Sequence, residues 1–212
     1  MKIDVLLKDG RHEFRFSIEA LPSDTLLDML EKIRKDRKPD LLYRHSCHHG
    51  SCGSCGAMIN GNPRLMCLAR VADLESETVL LEPLAKMTEI GGIAVWPGPL
   101  FEALPETDYM RPVESGGDGR GESRRLEDCI ECGICVAACP AAQPFVGPAA
   151  LAAVAVELRK HPERSDEMRA IADSPDGTRA CEKAFECSRR CPQGVAPGRK
   201  IAELAKKAEG HR

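Results

Sequence analysis

Eleven cysteines carry the chemistry available to this chain, and they fall into three groups, 47–67, 129–139 and 181–191. The first group reads Cys47-x4-Cys52-x2-Cys55-x11-Cys67. Three thiolates spaced this way can curl around a small cluster while a fourth arrives from downstream, which is the spacing of a [2Fe–2S] site. Gly50, Gly53 and Gly56 interleave with them, and glycine permits the positive φ and close backbone approach that such a loop needs. Zinc is the alternative, but structural zinc favours two tight pairs of ligands. A centre with two histidines replacing two cysteines would also draw on this region. All four cysteines are present, however, so His45, His48 and His49 are read as exposed loop side chains that could meet a partner chain.

The second group is Cys129-x2-Cys132-x2-Cys135-x3-Cys139-Pro140, and the third is Cys181-x5-Cys187-x3-Cys191-Pro192. Laid over the second, the third places Cys181, Cys187 and Cys191 at the first, third and fourth positions. Ala184, which has no ligand atom, falls at the second. In two-cluster proteins with such runs, the fourth cysteine of each ligates the other cluster. The expected sets are therefore Cys129, Cys132, Cys135 and Cys191 for a [4Fe–4S] cluster, and Cys139, Cys181 and Cys187 for a [3Fe–4S] cluster. Counting Cys47, Cys52, Cys55 and Cys67, all the cysteines are used. Structural zinc leaves the Cys-Pro endings unexplained. Disulfides suit neither an odd cysteine count nor an N-terminus, MKIDVLLKDGRHEF, without an apolar leader. A reducing compartment is the expectation, and there many thiols point to metal or redox chemistry.

Two kinds of scaffold position these groups. Lys2–Lys8 and Glu13–Ile18 alternate apolar and polar residues around Asp9-Gly10, the signal of a β-hairpin. Apolar residues at helical spacing from Leu26 to Ile33 follow, with Ser23 or Asp24 as the expected cap. Glu77–Leu81 reads as a further strand. The second half shows no comparable strand pattern. Helices are expected from Pro148 to about Lys160, over Glu163–Asp173 and from Pro197 to Glu209. Between the halves, the prolines from Pro97 to Pro112 and the Gly/Ser-rich stretch Ser115–Ser123 read as a connection. This gives an α+β chain with domains at 1–105 and 106–212. Trp96, before the connection, is read as a packing residue.

Composition narrows the function. The 212 residues carry 30 Lys and Arg against 33 Asp and Glu, a net charge of −3, too mild for a nucleic-acid footprint. No apolar run approaches the ~18 residues of a membrane span. The sequence contains no phosphate-binding glycine loop, nucleophile elbow or HExxH helix. Three one-electron centres without a catalytic site make a wire, whose donor and acceptor must lie on other chains.

In this order the motifs resemble the iron–sulfur subunit of succinate dehydrogenase and fumarate reductase. Arg44-His-Ser-Cys47, Cys52-Gly-Ser-Cys55-Gly, Ile59-Asn-Gly61, Leu81-Glu-Pro-Leu84 and Phe145-Val-Gly-Pro-Ala-Ala-Leu151 add to the resemblance. It implies an N-terminal β-grasp [2Fe–2S] ferredoxin-like domain followed by an all-α ferredoxin-like domain. It also implies a flavoprotein partner with FAD and the dicarboxylate site, and a membrane anchor or Cys-rich equivalent beyond the [3Fe–4S] end. The complex would lie on the cytoplasmic side of a membrane and deliver electrons to a quinone or take them from one. Ubiquinone-reducing members carry a Trp after Cys-Pro and a His after the first cysteine of the last group. Here those places read Pro140-Ala-Ala-Gln-Pro-Phe145 and Cys181-Glu182, which points away from a ubiquinone pocket and leaves menaquinone open. Two other readings stand beside this one. One is the same wire in a relative with a thiol, heterodisulfide-type or other non-quinone partner, or another succinate-like substrate. The other is a free multi-cluster ferredoxin.

Overall fold

The computed structural model describes residues 1–10, 12–101, 103–104 and 128–209. The chain divides into two compact units. One comprises Met1–Pro97 with Ile130–Ala138, and the other Gly98–Cys129 with Cys139–Arg212. The stretch read as a connection, Ser115–Ser123, lies outside the described residues.

In the first unit, β1 (Lys2–Lys8) and β2 (Glu13–Glu19) form the expected antiparallel hairpin. Alternation along β1 buries Ile3, Val5 and Leu7 on one face, as the two-residue side-chain period of a strand requires. The reversal is tied by Asp9, whose carboxylate accepts from the His12 amide at 2.8 Å. Helix α1 (Leu26–Asp36) lays Leu26, Leu27, Met29, Leu30 and Ile33 into the core. Its cap differs from expectation. Thr25 is the N-cap and forms a reciprocal capping box with Asp28. Asp24 instead accepts from the Leu21 amide and from Lys32. The box satisfies two orphan amides at once, which a cap from Ser23 or Asp24 would not.

Three further strands complete a mixed sheet: β3 (Gly56–Ile59), β4 (Asn62–Leu65) and β5 (Thr78–Glu82). The order is β2-β1-β5-β3-β4, with β1 and β5 parallel and the other pairs antiparallel. The strand expected at 77–81 is β5, shifted by one residue. Sheet and helix together make the β-grasp arrangement. A second hairpin, β6 (Thr88–Gly91) with β7 (Ala94–Trp96), follows. Gly92 at φ +54 lets this turn approach the Leu42 carbonyl, which an added Cβ would meet at 2.2 Å. The Ile93 amide donates to that same carbonyl at 3.0 Å. Trp96, expected to be a packing residue, is instead 58% exposed. The unit closes with the one-turn helix α2 (Ile134–Ala137), whose Ile134 is buried in the same core.

The second unit is helical. Helices α3 (Pro148–Lys160), α4 (Ser165–Asp173), the one-turn α5 (Glu186–Arg189) and α6 (Pro197–Glu209) are joined by short 3-10 turns. Pro148 occupies the first turn of α3, where its missing N–H costs nothing. The core is made mainly of small residues, with Ala150, Ala152, Ala153 and Val154 packed with Met168, Ala172 and Leu204. Glu157 is the one fully buried acid among the described residues, and Arg164 pairs with it at 3.0 Å. A second small cluster, Ala141, Phe145, Leu151 and Ile201, packs against Cys139 and Cys181. Few aromatics are available, and the thiols themselves form part of the packed interior.

Candidate cluster sites

The first cysteine loop runs from the end of the α1 connection to the start of β3, and its fourth cysteine enters from the turn after β4. The four thiols converge. Cys47 Sγ accepts the amides of Ser51 and Cys52, each at 3.3 Å, and of His49 at 3.5 Å. Cys52 Sγ takes the Cys47 amide at 3.5 Å and lies 3.1 Å from the Ser54 hydroxyl. Cys67 is buried, shares a thiol hydrogen bond with the free Cys55, feels the charge of Cys47 and accepts the Gly50 amide.

These contacts split the thiols electrostatically. Ser51, then the His49 and Cys52 amides, hold the Cys47 thiol down to about 5. Burial, then the bond to Cys55, pushes the Cys67 thiol up to about 12. Amides aimed at sulfur favour the thiolate that an iron site requires, and the same dipoles stabilise a reduced cluster and raise its potential. Glycine is required where the loop meets its neighbours. Gly53 sits at φ +72, and an added Cβ there would lie 2.2 Å from the Ile130 carbonyl. The donor set, the converging thiols and this cradle fit a [2Fe–2S] cluster, which supplies one reversible electron when bound. The chain's own part is to orient sulfur and aim amides at it.

In the second unit, Cys139, Cys181 and Cys187 come together. Burial raises the Cys187 thiol, and the nearby charges of Cys139 and Cys181 raise it further. The Gly198 amide donates to the same sulfur and also to Ser188 Oγ at 2.9 Å. A Cβ on Gly198 would stand 3.2 Å from Cys187 Sγ. The N-terminus of α6 therefore rests directly against this thiol group. Of the remaining set, Cys132 and Cys135 belong to the first unit, and Cys129 and Cys191 to the second.

The loop histidines divide. His48 and His49 are exposed, as expected. His49 is engaged within the loop, with Ser51 Oγ at 2.9 Å and the Cys47 carbonyl. His45 departs from the expectation. It is partly buried, and its Nε2 lies 3.4 Å from Glu31 Oε1. Spacing along the chain gave no hint that a residue of α1 would reach this loop.

Comparison with known proteins agrees with the geometry. Residues 8–93 match the 2Fe-2S iron-sulfur cluster binding domain, and residues 125–195 match the 4Fe-4S dicluster domain. The chain is 33% identical to the fumarate reductase iron-sulfur subunit of Wolinella succinogenes, over 92% of this chain and 89% of that protein. It belongs to the succinate dehydrogenase and fumarate reductase iron–sulfur subunit family. The fumarate reductase iron-sulfur subunit of Mycobacterium tuberculosis is 32% identical over 88% of this chain and 81% of its own length. The mitochondrial succinate dehydrogenase [ubiquinone] iron-sulfur subunit of Candida glabrata is 30% identical, covering 94% of this chain and 84% of its own. A chain of the Mycobacterium smegmatis Sdh1 complex in the apo form shares the fold, with a TM-score of 0.78 at 22% identity, covering 100% of this chain and 97% of that one. The expected fold, a sheet-containing [2Fe–2S] domain followed by a helical cluster domain, holds throughout. This iron–sulfur subunit serves electron transfer within an oxidoreductase. Among the described residues no helix is long and apolar enough to cross a membrane.

Proposed function

We propose that this subunit relays electrons through three clusters. In this reading Cys47, Cys52, Cys55 and Cys67 hold [2Fe–2S]. Cys129, Cys132, Cys135 and Cys191 hold [4Fe–4S], and Cys139, Cys181 and Cys187 hold [3Fe–4S]. The domains are taken as 1–105 and 106–212. One end would face a flavoprotein whose FAD exchanges electrons with a dicarboxylate, and the other a membrane anchor with a quinone, on the cytoplasmic side. The Wolinella and Candida relatives, named for fumarate reduction and for succinate dehydrogenation with ubiquinone, support this and leave the direction of flow open. The observation that carries the reading is the gathering of Cys139, Cys181 and Cys187, in a run whose second position, Ala184, has no ligand atom.

The test is anaerobic purification of the tagged chain from its host, followed by iron analysis, EPR and identification of co-purifying chains. Expected are roughly 9 iron per chain, a three-iron signal in the oxidised sample, a flavoprotein and a multi-helix membrane chain. A Cys-rich or soluble third chain would replace quinone with a non-quinone partner. Absence of any flavoprotein would reduce the function to a free electron carrier. Absence of the three-iron signal would overturn the ligand assignment.

A further inference from the structure

We propose that His45 and His48 form a binding site for one Zn²⁺, oriented by Glu31 and separate from the cluster cysteines. Nδ1 of His45 and Nε2 of His48 face each other at 3.2 Å. Two nitrogens at ~2.05 Å from a tetrahedral zinc ion stand about 3.3 Å apart, so the pair is already at chelating distance. The rings meet edge to face, 5.4 Å between centroids and 75° between planes, and in the metal-free chain the two nitrogens share a hydrogen bond that a bound cation would replace. His48 holds a left-handed backbone, φ +59, uncommon for a residue other than glycine. That conformation keeps its ring turned toward His45.

The other side of the His45 ring is built like the outer shell of a metal site. Nε2 lies 3.4 Å from Glu31 Oε1. A metal-binding imidazole characteristically donates its second N–H to a carboxylate, which fixes the tautomer and raises ligand basicity. Glu31 is itself held in place, by the Tyr43 hydroxyl on Oε1 and by Arg34 Nη2 on Oε2 at 2.9 Å. Burial opposes its ionisation, but Tyr43, Arg34 and His45 outweigh this and hold the carboxyl below its ordinary range. Arg34 Nη1 also stands 3.5 Å from His45 Nε2. The guanidinium thus lies on the Glu31 side of the ring, away from Nδ1. Glu31, His45 and His48 offer ligand atoms all within 4.8 Å of one another. With Glu31 already bonded, it acts as the positioning group, and water would complete the zinc coordination at exposed His48.

The site adjoins the Cys47 loop in sequence, so a bound divalent cation would place positive charge beside the loop that holds the cluster. The proposal does not depend on the three-cluster reading. The experiment is equilibrium dialysis of the iron-loaded full chain against Zn²⁺ under anaerobic conditions, with zinc and iron both measured. One zinc ion bound per chain with iron content unchanged is expected. His48→Gly, which suits the left-handed backbone, and His45→Asn should each weaken binding at least about tenfold, and Glu31→Gln about tenfold. The three variants should keep the iron content and visible spectrum of the parent. No binding at tens of micromolar zinc would overturn the proposal, as would binding that the variants do not change. Zinc uptake that releases iron would overturn it too, because the thiolates would then be the ligands.

Discussion

From Glu131 to Ala138, and again from Lys183 to Arg190, the chain traces one backbone path with two chemistries. Glu131 and Lys183 take φ +55 and +57, and two residues later Gly133 and Phe185 take +78 and +60. Each of the latter pair caps a four-residue helix, α2 or α5. The carbonyls of Gly133 and Phe185 accept the same two amides, three and four residues on, all at 3.0 Å. Ala138 and Arg190 close the turns on Ile134 and Glu186, each at 2.9 Å. Against this identical frame, Cys132 in one run corresponds to Ala184 in the other. The difference teaches that the loop shape does not depend on the ligand at its second position. Backbone hydrogen bonding and left-handed residues set the shape, and in the proposed ligand assignment the side chain at that position would choose the cluster type.

The largest effect should come from filling the gap. Ala184→Cys puts a thiol on a frame that already matches Cys132, so a four-iron cluster should replace most of the three-iron one. EPR of the oxidised variant checks this. If the three-iron signal keeps its full intensity, the correspondence of Ala184 with Cys132 does not extend to the cluster. The reverse exchange, Cys132→Ala, should make the first run behave like the second. A second three-iron signal, approaching twice the parent spin count, is the expected result. Loss of iron without that gain would show that the first run needs its fourth ligand to hold any cluster, and would limit the comparison to backbone alone.

How much of this was legible in the sequence follows from where each signal lives. The ligand motifs and the repeat between the runs are local, so spacing revealed them, as it revealed β1, β2, α1 and the three longer helices. The strands β3 and β4 were missed although Asn60-Gly61, with φ +48 and +74, is a strong hairpin signal. Four-residue strands are too short for alternation to register, and Pro63 inside β4 argues against a strand until the sheet order shows it on the edge. The Thr25 cap was hidden by Ser23 and Asp24, which are equally good caps by type. That Ile130–Ala138 would belong with residues 1–97 was not legible at all. It depends on Ile134 entering a core formed a hundred residues earlier, a tertiary preference with no local signature.

The two capping positions give a smaller, sharper contrast. Gly133 cannot carry a side chain freely: an added Cβ would lie 2.5 Å from Met87 Cε. Met87 ends in a flexible group that can move aside, so the cost of Gly133→Ala is mainly the left-handed backbone, about 1–2 kcal/mol. Phe185 already bears that backbone cost, while its ring sits 3.0 Å from where a Cβ on Gly198 would be. Phe185→Gly relieves the backbone and gives up the ring contact. Its net effect should be less than half that of Gly133→Ala. Thermal midpoints of the iron-loaded variants test this, with a drop of several degrees expected for Gly133→Ala. Equal drops would mean that side-chain packing, not backbone conformation, governs both caps.

The smallest expected effect lies where the frame has been supplemented. Arg189 corresponds to Ala137 in the other run. Its Nη2 donates to the Ala184 carbonyl at 2.7 Å, and the same guanidinium pairs with Glu186. A loop with no thiol at position 184 has no side-chain ligand there, and this arginine holds its backbone from the side-chain layer. Because Arg189 is 62% exposed, water and salt screen most of its charge, and removal should cost no more than about 1 kcal/mol. The informative readout is therefore spectroscopic. Arg189→Ala should broaden the three-iron signal and quicken iron loss to a chelator. Arg189→Lys, which keeps the charge and can still reach a carbonyl but lacks the planar fork, should recover part of each. If both variants match the parent in linewidth and chelation rate, the frame alone holds the Ala184 loop, and the two runs are more alike than their side chains suggest.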